Sequence, residues 1–381
     1  MPSEDPQPSF SPSLVFIETT RACDYSCRHC RASSTKTRPS DELSLLEIMD
    51  LIDQLENLWP YRPEIIFTGG NALLRPDLKD VISYAARKKF PFSLSPSASE
   101  RLNDEVLSFL KSRGVKSISL SLDGVSDGTH DWIRNREGSF QQTLALFQRV
   151  KKHGIALQIN TTVMKMNILE LPSIASIVKD SGAKAWEIFF LITTGRAEFL
   201  SEVSPEDYMG INLWLSGLWE YGLNVRTVES PVFRVIDTIN EKIPGGIGGE
   251  AYRILQESTI SLLDEEAVTR YLPGKERQKK RFGGTLFFSS NGEVYPSGLF
   301  NLKLGQIRDE PVEKIVGRSI DFLIPARSGR LKGKCGSCEF STICGGSRAR
   351  SLAHFGDPLE EDPLCTYHWK YSHRGVLNAI H

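Results

Sequence analysis

The segment Cys23-Asp24-Tyr25-Ser26-Cys27-Arg28-His29-Cys30 places three cysteines in a C-x3-C-x2-C pattern. It follows Leu14 to Glu18, a short apolar run with the β-branched and aromatic character of a strand. Three thiolates can hold three irons of a cubane cluster and leave the fourth iron open to a ligand, whereas a fourth cysteine would close the cluster. The pattern therefore predicts a reactive iron–sulfur centre. From the triplet alone, zinc with one remote ligand stays an alternative.

Strand-like runs alternate with amphipathic stretches up to about Leu200, which is the pattern of repeated βα units around a parallel sheet. Helical patterns such as Glu42 to Leu58 and Phe140 to His153 follow the strands. The six predicted strands are Leu14 to Glu18, Glu64 to Thr68, Phe92 to Pro96, Ser117 to Asp123, Leu157 to Val163 and Trp186 to Ile192. We predict the α/β class, with a partial (β/α)6 barrel of the TIM type over residues 13–200.

Ligands in such barrels bind at the carboxyl ends of the strands. Polar, small or metal-binding residues fall at or shortly after the carboxyl end of every predicted strand: Cys23, Gly69, Ser95, Asp123, Thr162 and Gly195. A shared edge of this kind predicts one site assembled from all six strands.

The rest of the chain divides into three parts by composition. Residues 1–12 are acidic and proline-rich and are expected to be flexible. Residues 201–281, with a helix expected from Pro205 to Tyr221, are interpreted as a connector or a lid over the barrel mouth. A small domain over 282–381 is expected to begin with a hairpin at Thr285 to Tyr295, where Asn291-Gly292 would supply two positive-φ turn positions.

Composition indicates an ordinary globular protein of 381 residues, 40% of them apolar and 24% charged, with a formal net charge of -1. This balance favours neither a nucleic-acid partner nor a membrane partner. The N-terminus lacks the basic and then apolar order of a signal peptide, so a cytoplasmic location is expected. All seven cysteines fall into two groups, which suits metal binding in a reducing compartment better than disulfides.

The sequence resembles the radical S-adenosylmethionine (SAM) enzymes, whose defining motif is this cysteine triplet. The resemblance implies a [4Fe–4S] cluster on Cys23, Cys27 and Cys30 as the catalytic centre, with SAM as its ligand. Gly69-Gly70-Asn71 stands where the family carries Gly-Gly-Glu, a segment that contacts the methionine ammonium. An asparagine oxygen can accept that hydrogen bond but adds no charge, so Asn71→Glu is expected to tighten cofactor binding.

The resemblance also implies the other contacts with SAM. Ser121 and Arg134 would meet the methionine carboxylate, because a guanidinium fork suits that group. Ser95, with Ser97, would approach the ribose, and the end of the fifth strand would approach the adenine, near which His29 would pack. The expected cofactor-binding residues are Gly69, Gly70, Asn71, Ser95, Ser121, Asp123, Arg134 and Thr162.

A second cysteine group near the C-terminus resembles the SPASM and twitch domains that carry auxiliary clusters. Its members are Cys335, Cys338, Cys344 and Cys365. Family members with two auxiliary clusters carry further cysteines where this chain has Ser297 and Arg348. One auxiliary [4Fe–4S] cluster is therefore expected, with zinc as the alternative. Six cations flank the group against few acids, either to neutralise a cluster or to receive substrate carboxylates: Arg327, Arg330, Lys332, Lys334, Arg348 and Arg350.

Within this superfamily, the segments around Cys30, Tyr295-Pro296-Ser297-Gly298 and Cys335 look most like the haem d1 and alternative-haem biosynthesis enzymes, which act on tetrapyrrole propionates. The resemblance implies reductive cleavage of SAM and abstraction of hydrogen from a small-molecule or peptide substrate, with a flavodoxin or ferredoxin as low-potential electron donor. A peptide-modifying maturase is the second interpretation. A catalytically silent iron–sulfur or zinc protein is the third, because Asn71 and Ala72 alter the family's motif.

Overall fold

The computed structural model describes residues 10–239, 249–263, 284–319, 323 and 329–367. Strands within these ranges form a single mixed sheet in the order β10-β9-β8-β1-β2-β3-β4-β5-β6-β7. The strands are β1 Leu14–Glu18, β2 Glu64–Thr68, β3 Phe92–Leu94, β4 Ser117–Ser121, β5 Ala156–Val163, β6 Ala185–Phe190, β7 Val225–Val228, β8 Thr285–Phe288, β9 Glu293–Tyr295 and β10 Gly305–Gln306. Strands β1 to β7 pair in parallel, β8 is parallel to β1, and β9 and β10 are antiparallel.

The predicted α/β class and the six parallel strands of the barrel are confirmed, with two additions. A seventh parallel strand, β7, lies inside the stretch interpreted as a connector. The C-terminal hairpin joins the same sheet, because β8 pairs with β1 in the register Leu14 to Thr285. The predicted division at residue 282 therefore does not interrupt the sheet.

Helices follow most of the strands and cover the outer face of the sheet. They are α1 Leu45–Leu58, α2 Leu78–Arg87, α3 Asp104–Ser112, α4 Trp132–Arg134, α5 Ser139–Lys152, α6 Leu171–Ser181, α7 Pro205–Gly217, α8 Val232–Ile239, α9 Gly249–Leu262, α10 Val312–Arg318, α11 Gly333–Gly336 and α12 Arg348–Phe355. The expected helix from Pro205 to Tyr221 ends its α-helical part at Gly217 and continues as a 3₁₀-helix, Leu218–Tyr221. In the described part of the chain, we find no helix with the length and apolar character needed to cross a bilayer.

The start of α1 differs from its prediction for a local reason. Ser44 caps the helix through its side chain, and Glu47 completes a capping box by accepting from the Ser44 amide. Glu42, the predicted first residue, lies before the helix. Its carboxylate accepts hydrogen bonds from Thr20 Oγ1 and Arg21 N, both at 2.7 Å, and so anchors the chain that leads into the cysteine triplet.

Two further sequence expectations need correction. Phe10 belongs to the terminus expected to be flexible, but it is buried and its carbonyl accepts a hydrogen bond from Trp59 Nε1 at 2.9 Å; residues 1–9 lie outside the described ranges. In the hairpin turn, Gly292 has a φ of 90°, whereas Asn291 keeps a negative φ. The loop has four residues closed by a Gly292 N to Ser289 O bond, so a single glycine at positive φ suffices.

Burial alternates along β2 and β5, as a sheet covered on one side requires. On the outer face, Val15, Ile17 and Phe67 are completely buried against helices. On the inner face, strand β5 presents side chains that stay partly exposed at every second position. The inner face is therefore the open concave wall of the half-barrel, and its carboxyl edge carries the cysteine triplet.

Candidate active site

The three N-terminal cysteines lie on a loop that backbone hydrogen bonds close at both ends. Cys23 N donates to Thr35 O at 2.8 Å, and Thr35 N donates to Arg21 O at 3.0 Å. Cys23 is buried, whereas Cys27 and Cys30 are partly exposed. The loop thus presents its cysteines over the carboxyl edge of the sheet, as the sequence predicts.

The chemistry of these thiols fits a metal centre. Burial raises the pKa of the Cys23 and Cys27 thiols, so loss of their protons depends on a cation. Donors surround them: Cys23 Sγ lies 3.4 Å from Ser97 Oγ and 3.3 Å from Tyr25 N, and Arg134 Nη1 lies 3.8 Å from Cys27 Sγ. Such donors stabilise thiolates that are bound to iron.

The Gly69-Gly70 segment packs directly against the backbone that enters this loop. Gly70 N donates to Thr20 O and Asn71 N donates to Ala22 O, both at 2.7 Å. A Cβ at Gly70 would overlap the Ala22 carbonyl and lie 2.7 Å from Arg21 O. The glycine is therefore required by the close approach of two backbone segments.

We expect Gly70→Ala to destabilise the protein by about 1 to 3 kcal/mol, because the overlapping atoms belong to backbone that cannot give way without moving the cysteine loop. Chemical denaturation of the reconstituted protein measures the effect. Gly217→Ala is the matched control, since its Cβ would meet nothing within 4 Å. Equal stability of Gly70→Ala and wild type would contradict the described packing.

The Asn71 side chain is completely buried and fully hydrogen-bonded. Its Nδ2 donates to Asp24 Oδ1 at 3.0 Å and to Ser99 Oγ at 3.1 Å, and its Oδ1 accepts from Leu73 N at 3.2 Å and Ser97 N at 3.4 Å. The expected contact with a methionine ammonium would require one of these bonds to be exchanged. The nearby carboxylate is Asp24, which the sequence reasoning did not single out although it follows Cys23.

Asp123 is the buried acid at the centre of the site. Its Oδ1 accepts from Thr162 N at 2.7 Å, and its Oδ2 lies 2.5 Å from Arg134 Nη2 and 3.8 Å from His29 Nε2. Burial opposes its ionisation, but the Arg134 guanidinium beside it holds the pKa of its carboxyl below the usual range. The carboxylate therefore ties the ends of β4 and β5 to the cysteine loop.

Two side chains around Asp123 keep polar atoms without hydrogen-bond partners. Burial lowers the pKa of His29 to about 4, so the ring is neutral at physiological pH. Within the described residues, His29 Nδ1 and Arg134 Nε are buried without a hydrogen bond. These atoms suit a polar ligand at this position, and the neutral ring suits the predicted packing against an aromatic base. A carboxylate that meets Arg134 would share its guanidinium with Asp123.

The remaining predicted residues lie on the same edge. Ser95 directly follows β3, Ser121 is the last residue of β4, and Thr162 lies near the end of β5; all three are partly exposed. Sequence reasoning missed Asn167, whose Nδ2 donates to Asp123 O and Thr162 O at 2.9 Å and joins the two strand ends. No local pattern signals this role, because it depends on the distance between neighbouring strands.

The second cysteine group surrounds one cavity. Its lining includes all four cysteines, together with Gly345, Gly346 and Asp362. Burial raises the pKa of Cys344 and raises that of Cys365 to about 12, and backbone amides point at the sulfurs: Gly346 N at Cys344 Sγ (3.4 Å) and Asp362 N at Cys335 Sγ (3.3 Å). Four thiols around a common space fit a cubane cluster. Within the described ranges, no three histidine, cysteine or acidic side chains converge on a point suitable for a single metal ion.

The positively charged side chains near this cysteine group have different partners. Arg348 Nη2 lies 3.7 Å from Cys335 Sγ. Lys332 and Lys334 pair with acids on the segment 357–361, and Arg350 is buried against Glu202 and Asp362. The expectation of few nearby acids was therefore wrong for these three; Arg327 lies outside the described residues.

Ser297 and Arg348 both make hydrogen bonds to neighbouring protein groups. Ser297 Oγ accepts from Leu299 N at 3.3 Å and Phe300 N at 3.2 Å. Phe300, Ile192 and Ala349 form a buried hydrophobic cluster. Both positions where the resemblance to SPASM domains implies further cysteines are thus occupied by residues that bond to neighbouring protein groups.

Comparisons with known proteins identify the family of this chain. The sequence profile of the Radical SAM superfamily matches residues 17–176. The chain is 34% identical over 361 residues to the AdoMet-dependent heme synthase of Methanosarcina barkeri, covering 94% of this chain and 97% of that protein. It is 23% identical to the Pre-heme d1 synthase of Dinoroseobacter shibae, covering 92% and 85%.

A solved structure shares the fold over most of the chain. SuiB of Streptococcus suis, in its crystal structure bound to S-adenosylmethionine, superposes with a TM-score of 0.67 at 14% identity, covering 94% of this chain and 78% of SuiB. The chain belongs to the radical SAM superfamily, whose enzymes use a [4Fe–4S] cluster and SAM, and it has the C-terminal SPASM-type architecture of its structural neighbours.

Proposed function

We propose that this protein uses SAM to abstract hydrogen from a propionate side chain of a tetrapyrrole in haem-type synthesis, as an oxidoreductase or lyase. The observation that carries the proposal is the 34% identity to an AdoMet-dependent heme synthase over nearly the full length of both chains. The substrate-independent part of the chemistry rests on the cysteine triplet and its surroundings.

The cluster would be held by Cys23, Cys27 and Cys30, and when bound with SAM it supplies a 5′-deoxyadenosyl radical. The protein positions these groups. The Gly69-Gly70 segment fixes the loop against the sheet, and Asp123 holds Arg134 against Cys27. A dry, fixed site limits loss of the radical to solvent.

The C-terminal cysteines would hold one auxiliary cluster. Loss of the carboxylate of a propionate radical as carbon dioxide leaves a vinyl group and releases one electron, which needs an acceptor; a cluster closed by four cysteines would suit electron transfer. A fixed guanidinium, Arg348, beside Cys335 would stabilise the reduced cluster. The electron that initiates SAM cleavage would come from a flavodoxin or ferredoxin.

The test combines the anaerobically reduced holoprotein with SAM and an iron porphyrin that carries propionates. We expect faster formation of 5′-deoxyadenosine than without porphyrin, and a porphyrin product that has lost hydrogen and a carboxyl group, as read by mass spectrometry. Stimulation by a short peptide instead of the porphyrin would favour the peptide-maturase interpretation and overturn the proposed substrate.

A further inference from the structure

The concave inner wall of the sheet carries large apolar side chains that the core does not use. Phe16, Ile66 and Phe189 are partly exposed, and with Phe287 they belong to none of the hydrophobic clusters formed by the described residues. Phe16 is in register with Ile66 on one side and with Phe287 on the other. Phe287, Phe16 and Ile66 therefore form an apolar strip across β8, β1 and β2, below the edge that carries the cysteine triplet, whereas Phe189 on β6 is separated from this strip by β3, β4 and β5.

One cation, Arg31, lies at the top of this strip. It directly follows Cys30, and its guanidinium carbon lies 4.5 Å from the centre of the Phe287 ring. A Cβ on Gly298 would lie 2.9 Å from that carbon, so the glycine leaves the space in which the guanidinium sits. Stacking between an aromatic ring and a glycine fixes the plane of the group.

The N–H groups of Arg31 are not used within the described part of the chain. The side chain makes no hydrogen bond there, is 28% exposed, and has one distant ion-pair partner, Glu18 Oε1, at 3.8 Å. Glu18 is itself occupied on its other oxygen by Ser290 N at 3.1 Å. By contrast, Arg196 on the same edge makes three hydrogen bonds of 2.9 to 3.1 Å.

The Arg31 side chain is 28% exposed, so most of its five donors are available to water or to a ligand that replaces the water. A guanidinium has more than one edge, so one edge can face Glu18 while another donates two hydrogen bonds to a substrate carboxylate. The apolar strip below would hold a flat hydrophobic body at the same time. The position of Arg31, its positive charge and its available N–H donors thus all indicate a ligand that carries a carboxylate on a flat hydrophobic body.

We infer that Arg31 binds a carboxylate of the substrate while the macrocycle packs on Phe16 and Ile66 of the apolar strip. This inference rests on the proposed function for the identity of the macrocycle. It makes Arg31 a specificity-determining residue next to the reacting centre.

Arg31→Ala tests the inference against a matched control. Arg28→Ala removes the same charge from the same loop, and Arg28 also stacks on an aromatic ring, Trp132, at 4.5 Å, but its donors are already bonded to Trp132 O and Asn135 Oδ1. The probes are an iron porphyrin with propionates and its fully esterified form. Binding to the SAM-loaded holoprotein is followed by the Soret band.

We expect Arg31→Ala to weaken binding of the free acid at least about tenfold and to leave the ester unchanged, because a charge-assisted contact is lost. Arg28→Ala should bind both probes as wild type does. Arg31→Lys should keep part of the affinity, and Gly298→Ala should reduce it by displacing the guanidinium. Equal affinity of wild type for acid and ester, no porphyrin binding at all, or equal losses in both alanine variants would overturn the inference.

Measurement of SAM cleavage without substrate distinguishes a failure of this inference from a failure of the proposed function. If Arg31→Ala cleaves SAM as wild type does while binding the acid less tightly, both the catalytic centre and the inference stand. If wild type binds the acid in an Arg31-dependent way but forms no 5′-deoxyadenosine, the proposed function fails and the inference stands.

Discussion

Replacement of Cys27 by alanine is expected to reduce 5′-deoxyadenosine formation to the background of cluster-free protein. Cys27 is one of three thiols on the loop and has the guanidinium of Arg134 3.8 Å from its sulfur. A cubane that loses one of three ligands loses the arrangement that leaves a single iron open. Chromatography of the anaerobic, dithionite-reduced reaction measures the product. Undiminished formation after the substitution would show that the catalytic assignment is wrong.

Cys338→Ala is the matched control, because it makes the same change in the other cysteine group. We expect it to retain cleavage of SAM without substrate and to lose porphyrin conversion, since only the auxiliary site is damaged. A wild-type protein that forms no 5′-deoxyadenosine would instead support a silent binding protein.

Iron analysis assigns the two cysteine groups to clusters. Wild type should hold about eight irons, and the triple alanine variant of Cys23, Cys27 and Cys30 about four, at four per cubane. Zinc in the C-terminal site would mean that this cysteine group has a structural role and does not transfer electrons. About twelve irons would mean that a further cluster forms near Ser297 despite its present contacts.

The sequence predicts the barrel well because its strands are buried apolar runs with clear ends. The boundaries of β1 and β2 agree with their predictions at every residue. Strand β7 was missed because Val225–Val228 has four residues, one of them a charged arginine, and its identity depends on pairing with β6. The attachment of β8 to β1 is equally nonlocal, since it joins residues far apart in the chain.

The site shows the same division between local and nonlocal information. The spacing of the cysteines predicts both metal-binding groups, because the ligands of each group are close in sequence. The partners of Asn71, Arg134 and Arg31 cannot be read from sequence, because each depends on side chains brought together by the fold. Arg134 illustrates the point: its type suits a ligand carboxylate, but the folded chain supplies the carboxylate of Asp123.

Asn71→Glu is expected to weaken SAM binding and to lower the free energy of unfolding by about 2 to 4 kcal/mol, opposite to the expectation from sequence alone. The Asn71 amide donates to Asp24 Oδ1, so a glutamate would place two carboxylates together in a buried position. It would also remove the donor to Ser99. Burial of an unpaired like charge outweighs the gain of an anion near an ammonium.

The double variant Asp24→Asn, Asn71→Glu separates these effects. It moves the single negative charge from position 24 to position 71 and restores a donor–acceptor pair between the two side chains. We expect it to recover most of the stability lost in Asn71→Glu, as measured by denaturation of the reconstituted protein, and to bind SAM more tightly than Asn71→Glu does by calorimetry. Asn57→Glu, on the exposed side of α1, controls for the added charge. Tighter SAM binding by Asn71→Glu alone would show that Asp24 does not face position 71 in the cofactor-bound protein, and that the amide leaves its buried contacts when SAM arrives.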